Sequence, residues 1–123
     1  MTWVRYRWVA AGLTSLLFAS LHGLFDPLSM AYFVYFALVA CWLTFRTGGL
    51  EAAIVLHTTL NVLIMLIAGT QGVPDVWAEQ PPATPLLLVT DVVATTLFAV
   101  WVHRAWTRRE LRDRQRRLPG APA

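Results

Sequence analysis

Residues 28–45 read LSMAYFVYFALVACWLTF, eighteen positions without one charged side chain. At about 1.5 Å per helical residue such a run reaches roughly 27 Å, close to the ~30 Å hydrocarbon core of a bilayer. Three more apolar runs of similar length flank it: Trp8 to Phe25, Leu50 to Gly69 and Pro85 to His103. Pro27, the Gly48-Gly49 pair and the stretch from Gly72 to Pro85 punctuate the four, as turn-forming residues do between helices. The expected fold class is therefore all-α, a polytopic membrane protein with transmembrane helices at about 8–25, 28–45, 50–69 and 85–103. In domain terms, residues 1–106 form the bundle and 107–123 a basic cytoplasmic tail.

Composition points the same way. Of 123 residues, 57% are hydrophobic and 14% charged, against roughly a quarter charged in a soluble domain. The first run is read as a retained helix, although Arg5 and Arg7 before it and Ala19-Ser20 near its end also suit a signal peptide. Trp3, Tyr6 and Trp8 suit an interfacial anchor. All ten basic residues are arginine, and seven of them fall between Arg104 and Arg117. Nucleic-acid binding is set aside because no nucleic-acid-binding fold signature accompanies that cluster. Anionic lipid is the expected partner. Single Cys41 permits no disulfide within the chain.

With the N-terminus in the cytoplasm, Arg5, Arg7, Arg46 and the whole 104–117 group fall on the inner side, as the excess of basic residues in cytoplasmic loops predicts. Both termini are then cytoplasmic, and Asp26, Asp75 and Glu79 face outward. The expected location is a bacterial plasma membrane. The tail is expected to lie on headgroups, with Glu110 and Asp113 spaced to pair with Arg114 and Arg117.

Ionisable and amide groups at membrane depth are costly unless they face a polar interior, which singles out His22, His57, Asn61 and Asp91. His57 and Asn61 stand four apart, one helical turn on one face, with Ile54 and Met65 extending the stripe. Phe18 and His22 repeat that spacing, behind Thr14 and Ser15. His22 sits roughly 21 Å from the inner end of its run, and His57 and Asn61 roughly 12 and 18 Å above Gly49. These depths overlap, so the three are expected to meet between the first and third helices. There they would serve as hydrogen-bonding groups, a proton carrier, two metal ligands or interhelical glue. Asp91, paired in spacing with Thr95, lies near the outer end and is given a structural role. Glu51 is expected to favour the positive end of the third helix, and His103 to snorkel to the interface.

Phe18-Ala19-Ser20-Leu21-His22 matches an F-x-x-x-H motif, and His57-Thr58-Thr59-Leu60-Asn61 an H-x-x-x-N motif. In order and placement, from about Trp8 to Ala68, and with Arg46-Thr47-Gly48-Gly49-Leu50 leading into the second, they resemble the CPBP family of intramembrane proteases, also called the CAAX prenyl protease or ABI family. The resemblance implies an intramembrane endopeptidase in which a glutamate activates water while His22, His57 and Asn61 orient it or stabilise the oxyanion. It implies no cofactor, and two histidines do not complete a hydrolytic zinc site. The family's E-E-x-x-x-R motif has no counterpart among these residues. The chain is accordingly expected to be the C-terminal portion of such a protease, inactive as written, through a misplaced start or a true truncation. Missing upstream helices or an oligomer partner would complete it, and a peptide or protein would be its substrate. The competing readings are a non-catalytic relative with an immunity or interaction role, and a small transporter using His22, His57 and Asp91. The transporter is disfavoured because Asp91 has no ionisable partner evident at its depth.

Overall fold

In the computed structural model the chain is described over residues 3–23, 26–70, 72 and 84–117, without the side chains of residues 3–5. Four α-helices follow in order: α1 (Trp3–Ser20), α2 (Pro27–Thr47), α3 (Glu51–Gly69) and α4 (Pro85–Arg116). No strand occurs among the described residues. α2, α3 and α4 are long and apolar enough to cross a membrane; α1, which carries Arg5 and Arg7, is not among these. The expected loop residues Asp75 and Glu79, and the chain end beyond Arg117, lie outside the described residues.

α2 is the central helix. It packs on α1, α3 and α4, whereas α3 and α4 touch lightly and α1 packs backbone to backbone on neither. Sequence explains the α1 seam: Ala11, Ser15 and Ala19 recur every four residues and are all buried. Small side chains at that spacing let two helix backbones approach closely in a membrane. On the other side of α2, Phe36, Leu43, Leu56 and Ala99 form the core of the α2–α3–α4 contact.

Local signals set the helix ends. Asp26 caps α2 by accepting the Ser29 backbone N–H at 3.0 Å, with Pro27 in the first turn where its missing N–H costs nothing. Gly48 ends α2 in the left-handed region (φ 78°) and donates its N–H to the Thr44 carbonyl at 2.9 Å, a conformation glycine adopts without strain. The short link through Gly49 and Leu50 then folds α3 back antiparallel to α2. α1 stops at Ser20, short of the expected residue 25. Its last carbonyls are taken by side chains, Ser20 Oγ to Leu16 O at 2.8 Å and His22 to Phe18 O, and Gly23 turns left-handed at φ 71°.

α4 continues unbroken through positions 103–107 to Arg116. Its inward stripe explains this: Thr95, Ala99, Val102, His103, Trp106, Thr107 and Glu110 keep helical spacing and are all buried or half-buried. Arg46 of α2 binds that stripe, donating to His103 Nδ1 (3.1 Å), Thr107 Oγ1 (3.1 Å) and Glu110 Oε2 (3.2 Å). Trp106 Nε1 donates to the second Glu110 oxygen at 2.9 Å. One sequence expectation is corrected here and another is extended. His103 accepts a hydrogen bond from Arg46, a partner that the expectation of snorkelling to the interface did not include. Glu110 pairs with Arg46, the ion pair found among the described residues, and not with Arg114. A clustered set of charge-assisted bonds outweighs an exposed pair on one helix, worth only a few tenths of a kcal/mol.

Candidate functional site

His22, His57 and Asn61 line one pocket, together with Phe18, Tyr32, Phe33, Phe36, Leu60 and Ile64. Phe18 is the shared surface. Its ring centroid lies 4.3 Å from the His22 imidazole and 5.6 Å from that of His57. α2 supplies the opposite wall: Phe33 stacks on His22 at 4.3 Å and 28°, and Phe36 meets His57 edge-on at 5.7 Å. Both histidines therefore contact Phe18, and α2, which packs on both α1 and α3, adds Phe33 and Phe36 to the same aromatic cluster. About 40 Å³ of space remains among the side chains, enough for a small number of water molecules.

His22 stands just beyond the end of α1, not within it. Its Nδ1 lies 2.7 Å from the Phe18 carbonyl oxygen, which can only accept, so Nδ1 carries the proton. In the neutral ring Nε2 then holds a lone pair free to accept a proton. His57 is half-buried, and Asn61 is exposed one turn further along α3. Neither side chain makes a hydrogen bond to another described residue. On α3 the lining positions are 57, 60, 61 and 64. Ile54 and Met65, expected on the same stripe, are more than half exposed because the 3.6-residue period carries them to the edges of that face.

The aromatic wall of α2 escaped the sequence reading, which sought polar residues alone. Its signal is the Tyr32, Phe33, Phe36 spacing, one helical face of the run that decides the fold. Thr95, one turn beyond Asp91 on α4, is fully buried, and among the described residues its hydroxyl has no hydrogen-bond partner. Glu51 lies elsewhere: its carboxylate folds against Gly49, beside a groove that includes Trp106 and Arg109. No Asp or Glu among the described residues lines the His22–His57–Asn61 pocket. Nor does any group of three or more His, Cys, Asp or Glu among them suit a metal ion.

Apolar helices of membrane-crossing length, with two imidazoles and an amide lining one small aromatic pocket, define a helical membrane protein with a polar site among its helices. The chain belongs to the Rce1-like family of type II CAAX prenyl endopeptidases, whose family model matches residues 1–63, the half that carries His22, His57 and Asn61. Neither a curated protein nor a solved structure matches the chain.

Proposed function

We propose that this chain forms the histidine-asparagine half of an intramembrane endopeptidase and that His22, His57 and Asn61 are its catalytic residues. All four helices cross the membrane in this reading, α1 included, with both termini on the cytoplasmic side of a bacterial plasma membrane and residues 107–123 as a basic tail. The observation that carries it is the convergence of all three polar side chains on one water-sized pocket. His22 Nε2 accepts a hydrogen bond from the attacking water and orients it toward the scissile carbonyl, while a glutamate from outside these residues takes the water proton. Asn61 and His57 donate hydrogen bonds to the oxyanion that forms, in a site where low dielectric strengthens them. The proton held on that glutamate then passes to the leaving amine, which completes hydrolysis.

A histidine-amide set polarises a carbonyl, but the lining residues include no carboxylate to activate water strongly. The chain alone is therefore inactive, and a helix outside these 123 residues supplies the acidic pair. General-base assistance contributes about 10²–10⁴ in rate. The test compares this chain with the same chain joined to an upstream helix bearing E-E-x-x-x-R, both purified in one detergent and given a peptide substrate. The fused form should cleave, His57→Ala should abolish cleavage, and Asn61→Ala should lower kcat by roughly 10²–10³, the cost of losing one oxyanion donor. Turnover by the unfused chain that His57→Ala removes would refute the division of labour proposed.

A further inference from the structure

α4 is too long for the bilayer it crosses, and the excess decides where its arginines lie. Its 32 residues extend about 48 Å, more than the 40–45 Å of a bilayer with both headgroup layers. Because the helix does not break at residues 103–107, the basic segment projects along the helix axis instead of bending onto the surface. His103 ends the apolar stretch. Arg104 and Arg108 follow within about 8 Å of it, the depth of one headgroup layer, whereas Arg112 lies about 13 Å beyond and Arg116 further still.

Orientation around the helix selects the same pair. Arg46 claims the His103, Thr107 and Glu110 face, which turns Leu97, Trp101, Arg104 and Arg108 outward, all of them exposed. These four residues line one shallow groove with Val100 and Ala105. Its lower half is apolar and its upper half carries two guanidinium groups one turn apart. The ion pair found among the described residues, Arg46–Glu110, leaves both groups unneutralised. A planar guanidinium matches phosphate oxygens in a two-pronged geometry, while Trp101 suits the level where acyl chain meets headgroup.

We infer that Arg104 and Arg108 hold the phosphate of an anionic phospholipid, its acyl chain lying along Leu97 and Trp101, and that Arg112, Arg114, Arg116 and Arg117 take no part. This rests on α4 crossing the membrane and not on the protease reading. The experiment equilibrates the purified chain in detergent with equal amounts of phosphatidylglycerol and phosphatidylcholine, then counts retained lipids by native mass spectrometry. The wild-type chain should retain phosphatidylglycerol preferentially. Arg104→Gln/Arg108→Gln should lose more than about tenfold of that preference, since each arginine at a charged surface contributes roughly fivefold. The distal quadruple variant, with Gln at 112, 114, 116 and 117, should stay within about twofold of wild type. Equal loss in the distal variant, or none in the double variant, overturns the assignment. If circular dichroism shows the double variant misfolded, Arg104→Lys/Arg108→Lys serves instead: it keeps the charge and loses the fork, so several-fold weaker retention is expected and an unchanged preference refutes the site. Inorganic phosphate that raises the melting temperature as much as phosphatidylglycerol would assign the pair to free phosphate and overturn the lipid reading.

Discussion

His22 shows what a spacing rule does and does not reveal. The four-residue interval from Phe18 places the two rings in contact whether residue 22 is helical or, as here, just past the helix end. Interval alone conceals the consequence, that the imidazole spends Nδ1 on the carbonyl of the same residue whose ring it covers. His57 and Asn61 were legible because polar groups at membrane depth stand out against their neighbours. Arg46 was legible only as a charge on the inner side, since its partners are 57 to 64 residues away in sequence. The His22 geometry has a spectroscopic consequence. Imidazole ¹⁵N spectra of the ring-labelled chain at neutral pH should show His22 with its proton on Nδ1. A neutral ring protonated on Nε2 would mean that the bond to Phe18 is absent and that the nitrogen assigned to accept from water is the wrong one.

At the level of elements, helix number and type followed from apolar run length, and the ends did not. Capping by Ser20 and His22 side chains shortened α1, and the Arg46 contacts lengthened α4, both through side-chain bonds that hydropathy does not register. The α1–α2 seam was likewise hidden, because alanine and serine at four-residue spacing look unremarkable in an apolar run. Ser15 lies at its centre, fully buried, with Oγ lacking a partner among the described residues. Ser15→Ala should be neutral or slightly stabilising, because it removes an unsatisfied hydroxyl. Ser15→Leu should cost about 1–3 kcal/mol by forcing the helices apart and should displace His22 from Phe33 at the end of the same helix. Reversible unfolding in mixed micelles measures both variants. An undiminished stability in Ser15→Leu would show that α1 does not pack on α2 through this face.

Across the whole molecule, the overlapping positions of His22, His57 and Asn61 along α1 and α3 pointed to the pocket they line together, and the helix that walls it was not legible. Depth is one coordinate; the arrangement of helices around the bundle depends on which faces carry small residues and how short the links are. Here those features put α2 at the centre, with Phe33 and Phe36 holding the two imidazoles against Phe18. The central claim is that one aromatic pocket gathers His22, His57 and Asn61, and solid-state NMR of the ¹³C-labelled chain in lipid bilayers tests it most directly through ring-to-ring correlations. The Phe18 ring should correlate with both imidazoles, with the long-range Phe18–His57 peak as the informative one because no local spacing produces it. A spectrum with the Phe18–His22 peak and without the Phe18–His57 peak would place the histidines in separate environments and contradict the account.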